Sequence, residues 1–538
     1  MNKVCKQCGA GFEISNDDLE FYKKVSPVID GKRFEIPASK FCYKCRLQRR
    51  MSWRNDINLY KRKCDKTGES IISMFAPDSG VTVYHKNEWW KDDWDALDYG
   101  RDYDFNRPFF EQFAELNKKV PHMHVLTLND ENSDYTNYNT DNKNCYLCFA
   151  GNYSEYNLYC YNAQSSKFCV DCLFIWNCEV AYECLQCDSC YECFYCSNSK
   201  NCHSSMFLDD CLSCNDCFMC ANLRNKKYCI LNKQYSQEEY FKKKDEFLAR
   251  GHKECVKIWK EERQKFPVKA SHNSQSEDCR GEYIWQSKNC KDCYIMAKGG
   301  EDCRDVFNGF PDLKDSRDCT FCGEKAELMY ESLASGVNES RVSFGNLVLE
   351  GCNDILYSSF IFGCKNCFGC SNMRQKQYCV LNKQYNKDEY EVLLPRIIGH
   401  MRETGEWGEY FSTESSLFGY NESFADLYFP MSKEEILSKN WKWREKREDI
   451  GGEVSGDVQK CEKSGKHFRF VKQELKFYEK WKIPIPNLCF EERNKARMAR
   501  MNGWEVKDKK CSRCGEDVKT NSISEKVFCE KCYLEEVY

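Results

Sequence analysis

The middle of the chain is patterned in short units. Each is a small or polar turn, then a cysteine, then aromatic or aliphatic residues, as in Ser276-Glu-Asp-Cys279, Ser287-Lys-Asn-Cys290, Gly300-Glu-Asp-Cys303 and Ser316-Arg-Asp-Cys319. A longer spacing of 24, 21 and 21 residues links Cys148, Cys172, Cys193 and Cys214, and a weaker half-period of about 10 to 13 residues runs through the four motifs. Fixed periods of about 20 point to a solenoid. Units this short, rich in Tyr, Phe, Cys, Asn and Ser, suit strand-and-turn coils better than helix pairs. Residues 145–229 and 279–379 are expected to form two β-solenoid segments, with equivalent cysteines stacked inward at about 4.8 Å per rung. On a straight strand residues i and i+3 face opposite sides, so Cys214, Cys217 and Cys220 are not expected all to point inward. The capping boxes Ser236-Gln-Glu-Glu239 and Asn386-Lys-Asp-Glu389 predict helices that end near residue 249 and span residues 390–401. Such helices would cover the open end of each segment.

The two segments match each other. Cys169, Cys172, Cys202, Cys214, Cys217, Cys220 and Cys229 fall on Cys319, Cys322, Cys352, Cys364, Cys367, Cys370 and Cys379 at one offset of 150 residues, which points to an internal duplication. Cys190, Cys193 and Cys196 fall instead on Ser340, Ser343 and Asn346, so a metal cluster using those three would be absent from the second copy. The ladder thiols can be read as compact core fillers, as ligands for zinc or another metal, or as redox groups.

The flanks carry a different pattern. Cys511-Ser-Arg-Cys514-Gly is followed by Cys529-Glu-Lys-Cys532, and Cys5-Lys-Gln-Cys8-Gly by Cys42-Tyr-Lys-Cys45. Two CxxC knuckles supply four thiolates that can converge on one Zn²⁺, and the glycine lets the knuckle turn. Each motif has a damaged copy at the other end of the chain. Cys64-Asp-Lys-Thr67-Gly with His85 and Glu88 matches the C-terminal set, and Cys461-Glu-Lys-Ser464-Gly with Cys489 and Glu492 matches the N-terminal one. Each end thus reads as a tandem of two ribbon-like modules, one intact and one damaged. A neutral hydroxyl is a poor zinc ligand, so the damaged copies are expected to be metal-free folds held by packing. A site using Cys64, His85 and Glu88 is the sharper alternative.

Composition sets limits. The chain has 538 residues, 41% hydrophobic and 30% charged, enough for several folded domains. With 80 basic and 84 acidic residues the net charge is −4, which excludes a globally basic nucleic-acid coat but not a local patch. Of the 40 cysteines, 17 lie between residues 145 and 229. The start, MNKVCKQCGAGF, shows no apolar signal core, and no run approaches the ~18 apolar residues of a membrane span. A long cysteine-rich chain of this kind is expected in the cytoplasm, with reduced, metal-binding thiols rather than a secreted disulfide framework.

Two basic segments follow the intact N-terminal and damaged C-terminal knuckles. The first includes Arg46, Arg49, Arg50 and Arg54, the second Arg493 and Arg497. A knuckle presenting an arginine-rich helix can grip phosphates, so a nucleic acid is a candidate macromolecular partner. The alternative is an amphipathic helix face or a protein partner. Residues 87–104 combine seven acids with Trp89, Trp90 and Trp94 and read as a packed connector with a solvated acidic face, the alternative being a cation or substrate site. Residues 402–457 read as an irregular connector with a short helix opening at Ser432-Lys-Glu-Glu435 and a flexible run at 451–457. No P-loop, dinucleotide fingerprint or nucleophile elbow is present, and His122 and His124 lack an evident ligand partner, so no catalytic residue is assigned.

The stretches CKQCGAGFEI, CYKCRLQRR, WWKDDWDALDYGRDYDFNRPFF, YCILNKQYSQEEY, FGYNE and YFP carry a resemblance. Over most of its length the chain resembles the uncharacterised cysteine-rich zinc-ribbon proteins of candidate-phyla-radiation bacteria. The resemblance implies zinc binding by Cys5, Cys8, Cys42 and Cys45 and by Cys511, Cys514, Cys529 and Cys532, and no particular activity.

The expected protein is mainly β: a duplicated Cys-rich β-solenoid with helical end caps, flanked at both termini by tandem zinc-ribbon-like modules. The expected boundaries are 1–63 (ribbon with basic helix), 64–144 (damaged ribbon and acidic connector), 145–260 and 261–401 (solenoid segments with caps), 402–457 (connector), 458–510 (damaged ribbon) and 511–538 (C-terminal ribbon). About two zinc ions per chain are expected, one for each intact four-thiol set. The expected function is non-enzymatic binding or scaffolding of a macromolecule. The alternatives are metal handling or thiol redox chemistry in the solenoid, and a solenoid enzyme.

Overall fold

The computed structural model describes residues 1–133, 135–184, 191–194, 202–445 and 458–538. Cys190, Cys196, the run 451–457 and the side chain of Cys193 lie outside the described residues. The protein is mainly β and is built on a β-solenoid of about 18 turns, with four-cysteine groups near both termini.

Why the centre coils is visible at the backbone. Among the described residues of the first segment every third residue turns into the left-handed region, with φ of 53° at Asn144, 48° at Leu147, 55° at Ala150, 53° at Tyr153 and 55° at Tyr156. Each such residue makes a corner, and parallel bridges join Lys143 to Glu155, Glu155 to Lys167 and Lys167 to Glu179, one coil every twelve residues. A coil therefore has four sides of three residues, each with one side chain pointing in. This replaces the expected strand alternation. Cys214, Cys217 and Cys220 all face inward, each 0% exposed, because corners at Asp216 and Met219 stand between them. The spacings of 24 and 21 are not the coil repeat; the interval of eleven to thirteen is.

The left-handed corners cost about 1–2 kcal/mol each for residues other than glycine, and inward hydrogen bonds offset that cost. An inward side chain donates to the carbonyl nine residues on and accepts from the N–H twelve residues on. Asn139 donates to Cys148 O at 3.0 Å and accepts from Gly151 N at 2.8 Å. Ser154 donates to Ala163 O at 3.0 Å and accepts from Ser166 N at 3.2 Å. Thiols take the same place, with Cys160 Sγ donating to Cys169 O at 3.4 Å and Cys202 Sγ to Cys211 O at 3.4 Å. Small side chains able to donate and accept are what this interior needs, which is why Cys, Ser and Asn fill it. The coils start earlier than the cysteines suggest. The first ladder begins at Thr127, which pairs with Asn139, and the second at Ser274; Asn139 and Asn142 take inward positions in the first.

The two segments close alike. Cys217 pairs in register with Cys229, and Cys367 with Cys379. The helices Gln237–Leu248 and Lys387–Glu403 follow, opened by Ser236 and Asn386 through capping boxes, with Tyr240 and Tyr390 buried. Further back the 150-residue offset crosses sides. The ladder carries Cys169 into the column of Cys217, whereas Cys319 leads through Ser332 into the column of Cys370. The cause is coil length: the second segment contains thirteen-residue coils, as from Glu301 to Lys314 to Glu327.

Four knuckle modules surround the solenoid. The first and second, at the N-terminus, dock on the second segment. The third and fourth, at the C-terminus, dock on the first. Strand Val83–Tyr84 of the second module pairs with His122–Met123 just before the first segment, and Val527–Phe528 of the fourth pairs with Val268–Lys269 just before the second segment. The connector after residue 403 lies between the segments, where Phe424 packs on Tyr161 at 6.0 Å and on Phe321 at 5.3 Å. Its helix Lys433–Ser438 is capped by Ser432 as expected. The two ends of the chain meet where Trp504 packs on Tyr43 at 5.4 Å and Lys44 pairs with Glu505 at 3.3 Å.

Candidate metal centres

Each intact module is a hairpin, a knuckle and a helix. In the first, Asn2–Val4 pairs with Gly11–Glu13, and Gly9, with φ of 73°, turns the knuckle between Cys8 and the returning strand. Cys42 caps the helix Tyr43–Met51, which also carries Cys45. In the fourth, Lys507–Lys510 pairs with Asp517–Thr520, Gly515 has φ of 78°, and Cys529 caps the helix Glu530–Val537, which carries Cys532. These folds bring Cys5, Cys8, Cys42 and Cys45 together, and Cys511, Cys514, Cys529 and Cys532 likewise. Within each set all four Sγ atoms lie within 4.8 Å of one another.

The geometry fits a tetrahedral thiolate site. Zn–S bonds of about 2.3 Å place sulfurs about 3.8 Å apart. Cys8 and Cys42 are 3.7 Å apart, and Cys514 and Cys529 are 3.8 Å apart. Amide groups are aimed at the sulfurs, with Cys529 N donating to Cys511 Sγ at 3.3 Å and Cys532 N to Cys529 Sγ at 3.5 Å. The Cys45 thiol, hydrogen-bonded beside it, draws Cys42 down to about 5, while Cys45 itself is raised. Against the opposing effect of burial, the N–H groups of Cys514 and Cys529 draw Cys511 down to about 6. Thiolate character at a helix N-terminus is what a metal ligand requires. Among the described residues these two sets are the groups of three or more candidate ligands that converge this closely.

The damaged modules keep the frame without the ligand set. In the second, His85 caps the short helix Lys86–Trp89 and its N–H donates to Cys64 Sγ at 3.3 Å. Cys64, His85 and Glu88 do not converge as a site. His85 Nδ1 accepts from Asn87 N at 3.2 Å, and Glu88 pairs with Lys66 at 3.3 Å and Lys91 at 2.6 Å. In the third, Ser464 Oγ lies 3.7 Å from Cys489 Sγ, and Glu492 pairs with Lys463 at 2.8 Å. Both share one device. A lysine in the knuckle, Lys66 or Lys463, ion-pairs with the glutamate standing where the fourth cysteine would be.

The basic helices face inward, where their arginines meet acids and carbonyls of the protein itself. Arg46, Arg49, Arg50, Arg54, Arg493 and Arg497 are all buried. Arg46 pairs with Asp318 at 2.9 Å and Arg50 with Glu331 at 3.4 Å, both on the second solenoid segment. Arg49 donates to Tyr410 O at 2.5 Å, and Arg54 pairs with Asp56 at 2.5 Å between the rings of Tyr138 and Phe321. On the first segment Arg493 and Arg497 both bind Asp171, at 2.8 and 2.7 Å. The signal missed in the sequence is the partner column. Asp305, Asp318 and Glu331 recur at thirteen-residue intervals on successive coils.

The acidic connector is a docked element. Asp93, Asp95 and Asp102 pair with Lys66, Lys376 and Lys383 at 2.5, 2.6 and 2.6 Å, and Trp89, Trp90 and Trp94 surround Arg374. Burial pushes His122 down to about 4, with its Nε2 on Asn117 O at 2.6 Å, and likewise depresses His124. In the solenoid the described cysteines are free thiols, and burial pushes Cys160, Cys169 and Cys172 well above the ordinary range. Their S–H groups add a second hydrogen bond to carbonyls that already accept a backbone N–H, as Cys169 O does from Leu158 N at 2.9 Å and from Cys160 Sγ at 3.4 Å. Among the described residues no helix is long and apolar enough to cross a membrane. Comparison with family models, curated proteins and solved structures finds no match to this chain.

Proposed function

We propose that the protein is a non-enzymatic, cytoplasmic zinc protein that serves as a binding scaffold for a macromolecular partner. Zn²⁺ is held by Cys5, Cys8, Cys42 and Cys45 and by Cys511, Cys514, Cys529 and Cys532. The observation that carries this reading is the sulfur geometry of the two sets. Four thiolates in a tetrahedron suit zinc and fill its coordination sphere, which is the pattern of a structural rather than a catalytic ion. A reducing compartment keeps such thiols free to bind. Each metal would join a hairpin to a helix, and each helix packs against the solenoid or its approach strand.

The rival reading, metal handling by the solenoid thiols, meets a physical obstacle. Those sulfurs are protonated donors to backbone carbonyls, and a metal would strip both proton and hydrogen bond. Elemental analysis of the purified chain with thiol counting separates the two. The scaffold reading expects two zinc ions per chain, falling to one in Cys8→Ser/Cys45→Ser and to one in Cys514→Ser/Cys532→Ser. Several soft metal ions per chain, or none, would overturn it.

A further inference from the structure

The third module keeps two of its four knuckle sulfurs and no ligand set. Its hairpin Gln459–Lys460 with His467–Phe468 and its helix Phe490–Met498 hold Cys461 and Cys489 as the intact modules hold their first and third cysteines. Three contacts match. Ser464 Oγ stands 3.7 Å from Cys489 Sγ, against 3.8 Å from Cys514 to Cys529 and 3.7 Å from Cys8 to Cys42. Ser464 N donates to Cys461 Sγ at 3.5 Å. The N–H of Cys489 is hydrogen-bonded to Cys461 Sγ, as that of Cys529 is to Cys511 Sγ. The frame that brings first and third sulfurs within 4.8 Å in the intact sets is therefore preserved, with the fourth position, Glu492, turned to Lys463.

We propose that Cys461 and Cys489 form a reversible disulfide in response to a peroxide, a covalent cross-link where the neighbouring module uses a metal. The Cys461 thiolate attacks one peroxide oxygen, the O–O bond breaks, and hydroxide leaves, giving a sulfenic acid. The Cys489 sulfur then attacks the Cys461 sulfur. The S–O bond breaks, water leaves with the Cys489 proton, and the S–S bond forms. Hydrogen peroxide gains the two electrons that the two thiols lose, and an external thiol reverses the step.

The surroundings assign the roles. Burial opposes ionisation of Cys461, but the Ser464 hydroxyl and the N–H groups of Cys489 and Ser464 outweigh it and hold the thiol near 7. Burial pushes Cys489 up to about 11. Cys461 is the attacking sulfur and Cys489 the resolving one. Residues 462–465 above the pair are exposed, so a small oxidant approaches from solvent. The second module is a built-in control, since there His85 stands where the third cysteine would be, its N–H on Cys64 Sγ at 3.3 Å.

The test treats the full-length, zinc-loaded chain with equimolar hydrogen peroxide at neutral pH, blocks free thiols and maps peptides without reduction. A cross-linked Cys461–Cys489 peptide, lost on adding a thiol reductant, is the expected result, with zinc content unchanged. In Cys489→Ser, a dimedone adduct should build up on Cys461. Its rate should be roughly tenfold that of a thiol of ordinary pKa, the ratio of thiolate fractions at neutral pH. If Cys461 and Cys489 stay separately alkylated while other thiols oxidise, the proposal is wrong. The wild-type map needs no variant to fold, and the zinc content of the same sample reports independently on the metal reading.

Discussion

An inward residue of this solenoid has two tasks, to accept an N–H from the coil above and to donate to a carbonyl nine residues on. Serine does both at Ser154 and asparagine at Asn139, so the thiol at Cys160 is one solution among equals. Cys160→Ser should cost less than about 1 kcal/mol, whereas Cys160→Leu should cost about 1–3 kcal/mol by overpacking. Denaturant unfolding of the two variants checks this, and a severe loss in the serine variant would return the ladder to metal chemistry. Glu339 breaks the rule. It is 0% exposed, Oε2 has no partner, and burial raises its carboxyl from 4.5 to about 7. The folded state holds that proton more tightly than the unfolded chain. Its stability is therefore full below about 4.5 and is lost as pH rises through about 7, by about 3 kcal/mol in all. Glu339→Gln should match wild type at pH 4.5 and exceed it at pH 8 in thermal unfolding. Equal pH profiles would contradict the assignment. The three-residue period was legible in runs such as Cys214-x-x-Cys217-x-x-Cys220. It was read with a strand's period of two because the left-handed corner is a backbone choice that Asn, Tyr, Leu and Phe do not announce.

At the scale of elements, the arginine helices show how charge alone misleads. Arg46 and Arg50 are four residues apart, a rise of about 6 Å on a helix, near the rung spacing of about 4.8 Å. A helix can thus set successive arginines against acids on successive coils, and Asp318 and Glu331 are such acids. Arg493 and Arg497, also four residues apart, instead share the single carboxylate of Asp171. Removing one partner leaves a buried charge, so Arg50→Ala or Arg497→Ala should cost about 3–5 kcal/mol. Lys44→Ala, in an exposed pair with Glu505, should cost less than about 1 kcal/mol. With these arginines engaged, the chain should show no salt-sensitive binding to a nucleic-acid pool at low salt. Binding that weakens steeply as salt rises would reveal a different basic surface and restore that partner. The helices were legible in sequence, but their carboxylate partners lie hundreds of residues away and nothing local signals the pairing.

At the scale of the whole molecule, the ends of the chain work crosswise. The N-terminal modules clasp the later solenoid segment and the C-terminal modules the earlier one. The equivalent arginines Arg374 and Arg224 mark the two docking points, the first within the tryptophans of the second module and the second near Tyr538 of the fourth. The modules and their damaged partners were readable because knuckle spacing is local. The crossing was not, since it depends on which face of each coil is left to cover. On this account the two metal ions fix the outermost pieces of a clasp whose core is metal-free. Chelation should then expose residues 1–51 and 507–538 to protease before the coils, and simultaneous loss of both would show that the solenoid itself depends on metal. The sharpest test is zinc K-edge X-ray absorption on the purified full-length chain. Four sulfur neighbours at about 2.3 Å, with no nitrogen or oxygen shell, is the predicted result. A mixed shell, or a sulfur number near two, would contradict the two four-thiolate centres on which the account stands.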